Sequence, residues 1–345
     1  MRRASAVDER ALATIPPPEK SGDMIRLRYS AAPFGDCPLS ARPVPLRPLF
    51  LAALASLALV VLANQTTLPP QPYRAQGAEG ELNRAQQWLV PTPAADRGAH
   101  ALLFRPPGEG PFRLAVIAHA SSQNALRRTQ MTAPEYRALA AFLVAHGLAV
   151  LVPERLGHGA TGGAYLEDQG GCEDADYARS ARATAEQIKL ALDFMSRQPF
   201  IRKDGAIIIG HSAGGWGALA LAGEDPRMLS AIIAFAPGRG GHANDVENRV
   251  CAPERLIEVA TSLGKGARVP VTWLVAENDT YFSPAFSQRL AGAFRGCGGK
   301  VAFSVLPATG REGHWLAESE SGINSASTEL ERALTLVRPV TSKKQ

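Results

Sequence analysis

Ala206-Ile207-Ile208-Ile209-Gly210-His211-Ser212-Ala213-Gly214-Gly215 is the stretch that decides the fold. Its four leading apolar residues, three of them β-branched, predict a buried strand. Gly210-His211-Ser212-Ala213-Gly214 then matches G-x-S-x-G, and the Ala-rich run from Trp216 to Ala222 predicts a helix. Strand, sharp turn and helix in that order hold a serine in a strained backbone conformation, so its neighbours must be small. Gly210 and Gly214 let strand and helix pass close together. The positive end of the helix faces the anion that forms when a serine attacks a carbonyl. Ser212 is the candidate nucleophile, and the Ala213 amide is the first candidate oxyanion donor.

Outward from this turn, buried apolar runs alternate with helical periodicity. Strands are predicted at 99–104, 114–119, 148–152, 231–236, 271–276 and 301–306. Helices are predicted at 134–146, 177–197, 256–263, 284–294 and 326–337. Apolar strands separated by helices predict a mainly parallel sheet covered on both faces. The long irregular segments are 120–133, 156–176 and 237–252. They follow strands, which is where such sheets bind ligands. Only 34 residues, including a helix, separate the 231–236 strand from Val271, so any cap over the site is small or absent.

A serine needs a base, and the base needs an orienting acid. When a serine sits on such a turn, the acid and then the histidine follow it in the chain. Of the seven histidines, only His314 lies beyond the 271–276 strand and the acids after it. It sits in Gly310-Arg311-Glu312-Gly313-His314-Trp315 and is the candidate general base. Glu277 and Asp279 compete for the acid. Asp279 is favoured because its Asn-Asp-Thr turn can aim a carboxylate at the histidine loop. The second oxyanion donor should come from His119-Ala120-Ser121-Ser122, with the Ala120 amide preferred and Ser121 the close rival. His119 and His211 read as supports. Arg155, Arg239 and His242 are near enough to the pocket to favour an acidic group, or are ordinary loop residues.

Taken together, the GHSAGG turn, the AHASS loop, the AENDTYFSP turn and the GHW loop resemble the α/β-hydrolase superfamily. Within it, the chain is similar to dienelactone hydrolase-like proteins and small bacterial serine esterases over about residues 86–340. The resemblance implies an α/β-hydrolase fold with a small cap or none, and hydrolysis of carboxylic esters through an acyl-enzyme on Ser212, His314 and Asp279. Dienelactone hydrolases use a cysteine nucleophile and this chain has Ser212, so a lactone substrate does not carry over. Gly157-His158-Gly159-Ala160-Thr161-Gly162-Gly163 resembles the family's Gly-rich loop. It lacks the Gly-Lys-Ser/Thr ending of a phosphate loop. The rival readings are a peptidase or lactonase on the same triad, or a non-catalytic binding protein on this fold.

The remaining features set the context. The net charge is +5, and the first 63 residues hold eight Arg or Lys against five acids, so the rest is close to neutral. No basic run with interleaved aromatics appears, which argues against a nucleic-acid partner. Leu49–Ala63 is uninterruptedly apolar and follows Arg42 and Arg47. It reads as the core of a signal peptide or an uncleaved membrane anchor, with Met24 an alternative start. Export is therefore expected, to the periplasm or outside, or held at the membrane. Residues 64–85 read as a linker. Of four cysteines, Cys172 and Cys251 fall in irregular loops on the pocket side, where a bridge would pin two walls. No spacing suits zinc, and no metal or cofactor is expected.

Overall fold

The computed structural model describes residues 73–335. The apolar run at 49–63, Met24 and the first part of the linker lie outside the described residues. So does the end of the last helix, beyond 335. The elements in order are β1 (Gln86–Val90), β2 (Ala99–Phe104), β3 (Arg113–Ala118), α1 (Ala125–Thr129), α2 (Arg137–Ala145), β4 (Leu148–Pro153), α3 (Tyr177–Met195), β5 (Ala206–His211), α4 (Ala213–Ala220), β6 (Leu229–Phe235), α5 (Pro253–Gly264), β7 (Val271–Ala276), α6 (Pro284–Gly296), β8 (Val301–Leu306) and α7 (Glu320–Thr335). Short 3-10 turns occupy Leu82–Arg84, Ala243–Asp245 and Gly313–Glu318.

The eight strands form one sheet in the order β1-β2-β4-β3-β5-β6-β7-β8. β1 and β2 enter antiparallel, and every pairing from β4 to β8 is parallel. Side chains alternate across a strand, and here both faces are dry. On β5, Ile208 faces one core with Trp216, Leu219 and Trp273, while Ile207 and Ile209 face the other with Leu139, Leu143 and Leu330. That explains why the central strands are continuous apolar runs rather than alternating ones. Helices α3 to α6 cover the first face; α2 and α7 cover the second.

Because β3 and β5 to β8 run the same way, their carboxyl ends open on one edge of the sheet, as the loop positions require. Between β6 and β7 the regular elements are a 3-10 turn and α5. α5 packs on α6 and α3 at the flank, not over the strand ends. Of the expected linker, residues 73–85 run along β1: Leu89 N–H donates to Arg74 O, and Tyr73 packs edge-on against Phe194. Cys172 and Cys251 form a disulfide with Cα atoms 5.0 Å apart. Among the described residues no helix is long and apolar enough to cross a membrane.

Candidate active site

Ser212 sits between β5 and α4 with φ 54° and ψ −119°, a conformation L residues rarely adopt. The turn is this tight because its glycines leave nothing in the way. A Cβ on Gly210 would lie 2.4 Å from Gly215 Cα, and one on Gly214 would lie 2.1 Å from the Ala118 carbonyl oxygen of β3. α4 starts immediately after the serine, so the Ala213 amide is one of its first-turn donors without a helical partner.

His314 follows β8 in the 3-10 turn, and Asp279 follows β7. His314 Nδ1 donates to Asp279 Oδ2 at 3.0 Å. Asp279 Oδ1 accepts the Tyr281 and Phe282 amides at 2.9 and 2.8 Å. Both oxygens are thus committed, and the carboxylate is buried. Glu277, the competing acid, is exposed. Protonation at Nδ1 leaves Nε2 as the basic nitrogen. Burial lowers the His314 pKa, against the hydrogen bond and charge of Asp279, which pull it upward.

The loops carrying acid and base are laced to each other. Glu312 Oε1 accepts the amides of His314 (2.9 Å) and Thr280 (3.1 Å), and its other oxygen takes the Thr280 hydroxyl. Asn278 accepts the Thr309 amide at 2.9 Å. Neither residue stands out in the sequence, because the spacing between the two loops does not announce a contact.

The oxyanion loop departs from expectation. The Ala120 amide, expected to be the second donor, already donates to Tyr136 Oη at 3.1 Å. The Ser121 amide makes no hydrogen bond among the described residues. Three contacts fix this loop. Ser121 Oγ lies 2.7 Å from His158 Nε2, the Arg128 guanidinium donates to the Ser122 and Gln123 carbonyls, and His119 Nδ1 donates to Ala120 O at 2.6 Å. His158 Nδ1 sits against the Arg155 and Leu156 carbonyls and donates there, so Nε2 accepts the Ser121 hydroxyl. Burial depresses the His158 pKa to about 4.

Tyr136 and His211 join the oxyanion loop to the base. His211 Nε2 donates to the His314 carbonyl at 2.7 Å, so in the neutral ring Nδ1 accepts the Tyr136 hydroxyl at 3.0 Å. Tyr136 precedes α2 in a left-handed conformation (φ 47°), which starts that helix at Arg137 rather than at 134. Burial, aided by Glu318, raises the Tyr136 pKa well above its ordinary value.

Ser212, Ala213, His314 and the oxyanion loop line one cavity of about 1030 Å³. Its arginines are engaged. Arg239 donates to Glu167 at 2.5 Å and to Tyr165 Oη at 2.6 Å, and Arg127 lies 3.8 Å from Asp245. Arg155 sits behind the wall, bound to the other oxygen of Glu167. Burial opposes ionisation of Glu167, but the two guanidiniums override it and hold the carboxyl far below the usual range. His242 reaches the cavity stacked on Tyr281, which in turn stacks on His314. The disulfide ties the segment before α3 to the loop after β6, and both contribute to the wall through Gln169 and Gly240. Among the described residues no group of His, Cys, Asp and Glu could hold a metal ion.

Comparison with known proteins agrees with this geometry. A family model described as serine aminopeptidase (family S33) matches residues 127–265. No curated protein matches the chain in sequence. Among solved structures, acetyl xylan esterase 1 from a Thermoanaerobacterium species superposes with a TM-score of 0.51 at 15% identity, over 79% of this chain and 90% of that one. The acylaminoacyl peptidase of Pyrococcus horikoshii superposes with a TM-score of 0.52 at 11% identity, over 77% of this chain and 43% of that one. The sheet order, the strained serine turn and these superpositions show that the chain has the α/β-hydrolase fold.

Proposed function

We propose that the protein is a serine hydrolase that cleaves carboxylic esters through an acyl-enzyme. Ser212 Oγ attacks the ester carbonyl while His314 Nε2 takes its proton, and Asp279 stabilises the imidazolium. The amides of Ala213 and Ser121 hold the oxyanion. His314 then protonates the leaving alcohol, and water repeats the sequence on the acyl-serine. The observation that carries this reading is one cavity lined by both a strained Ser212 and His314, whose Nδ1 is bonded to a buried and fully committed Asp279.

A peptidase reading has one specific support, the match to a serine aminopeptidase model. An aminopeptidase site needs a carboxylate for the substrate's ammonium group. Among the cavity acids, Glu135 is bound to Arg137, Asp245 faces Arg127, and Glu318 lies 3.3 Å from His211 Nδ1. Ester cleavage asks for no such group. Export is part of the same proposal: the apolar run at 49–63 and a Cys172–Cys251 disulfide both suit an oxidising compartment.

The test is hydrolysis of p-nitrophenyl acetate, butyrate and octanoate by the full chain, beside Ser212→Ala and an aminoacyl p-nitroanilide. Turnover of short esters, lost in the variant, is the expected result. Turnover of the anilide alone would replace the ester reading with the peptidase one. Neither turnover nor labelling of Ser212 by a phosphonate would sink the hydrolase reading.

A further inference from the structure

We propose that the cavity selects acylated carbohydrates, with a sugar ring seated on Trp315 and its acyl group over Ser212. The inference rests on the serine-hydrolase reading and names its substrate class. It begins from what the walls lack. No leucine, isoleucine or valine lines this cavity of about 1030 Å³. A fatty acyl chain is held by removing its methylenes from water against aliphatic walls, and here the aliphatic lining among the described residues is limited to Met131, Pro134 and three alanines.

What the cavity offers instead is an exposed indole among hydrogen-bonding groups. Trp88, Trp216 and Trp273 are buried in the core, whereas Trp315 is 41% exposed and lines the cavity beside the candidate base. The rings of His211, Tyr281 and His314 hold it at interplanar angles of 85°, 76° and 80°. They fix the indole while leaving part of its surface open. The side-chain amides of Gln123 and Asn244, from two different loops, line the same space and make no hydrogen bond among the described residues.

Charge narrows the ligand further. The wall arginines are matched by Asp245, Glu135 and Glu167, so the site presents no spare cation for an anionic ester, and the remaining carboxylate, Glu318 beside His211, repels an anion and accepts hydroxyls. A neutral molecule with a flat C–H face and peripheral hydroxyls meets all three conditions. Its face covers the indole, and its hydroxyls reach side-chain amides that have no partner among the described residues. A pyranose is such a molecule. In the reaction, the Ser212 Oγ–acyl bond forms as the acyl–sugar oxygen bond breaks. The serine proton passes through His314 to the departing sugar hydroxyl, and water releases the acid.

The test compares the full chain on tetraacetyl xylopyranose, ethyl acetate, p-nitrophenyl octanoate and an N-acetyl peptide ester. A kcat/KM for the sugar acetate at least about tenfold above that for ethyl acetate is expected, the scale of one aromatic contact with a few added hydrogen bonds. In Trp315→Ala that ratio should fall about tenfold, and Trp315→Tyr should restore most of it, because a ring face returns. A second readout needs no chemistry: Ser212→Ala should show its tryptophan emission quenched on titration with the acetylated sugar, and Ser212→Ala/Trp315→Tyr should not. A ratio near one, a ratio untouched by Trp315→Ala, or a preference for the octanoate or the peptide ester would overturn the assignment while leaving an esterase. Failure to cleave any ester would bring down the hydrolase reading and this inference with it.

Discussion

Both oxygens of Asp279 are occupied before any substrate arrives, and that makes Asp279→Asn a sharp test. The asparagine amide must turn its NH2 either toward His314 Nδ1 or toward the Tyr281 and Phe282 amides, so one side meets a donor with a donor. The imidazole then loses the tautomer that leaves Nε2 basic. A fall in kcat of about 10³–10⁴-fold is expected, measured with fold integrity checked by circular dichroism; a loss under tenfold would remove Asp279 from the triad. Burial lowers the His314 pKa, and only the neutral ring accepts the Ser212 proton. The acid limb of kcat/KM should therefore have its midpoint below the ordinary histidine value of 6.5. Tyr136→Phe removes the oxygen that accepts the Ala120 amide and the proton that binds His211. Its kcat should drop about tenfold with KM little changed, the scale of one lost buried hydrogen bond in the machinery. The strained turn at Ser212 is legible from its motif, and the contact of His314 with Asp279 from chain order. Tyr136, Glu312 and His158 are not, because their roles depend on contacts across 16 to 75 positions that no local pattern encodes.

At the level of elements, the core of the sheet is written in the chain. β2, β7 and β8 fall at the expected positions, and β5 and β6 within two residues, because short, mostly apolar runs between turns and helices have no other stable use here. β1 is absent from the sequence reading: Gln86-Gln87-Trp88-Leu89-Val90 is an antiparallel edge strand, half polar, and too short for a clear period. α1 escapes for a similar reason. Its five residues follow Asn124, whose side chain accepts the Arg127 amide, a cap that needs no apolar stripe. α7 begins six residues earlier than its periodicity predicts, at Glu320. The Cys172–Cys251 bridge spans 79 residues. Closing a loop of that size removes unfolded-state entropy worth about 4 kcal/mol. Cys172→Ser/Cys251→Ser should lower unfolding free energy by that order in a urea titration.

For the molecule as a whole, acid is the weak side. His119 and His158 are buried near the oxyanion loop, and both are driven below 6.5 first by burial. An unfolded histidine protonates near 6.5, whereas native His158 resists until about 4. Between those limits the unfolded chain binds more protons, so stability falls as pH falls. His158 alone contributes about 3 kcal/mol above that window. The thermal midpoint should drop between pH 6.5 and 4 and should drop less in His158→Asn; a flat profile in calorimetry would refute this.

The disulfide has a topological consequence as well. It closes a covalent ring that contains α3, β5, Ser212, α4 and β6, while Asp279 and His314 lie on the chain beyond it. The ring ties the nucleophile's turn to the cavity wall, so hydrogen exchange in β5, α4 and β6 should be retained longer in the native chain than in Cys172→Ser/Cys251→Ser.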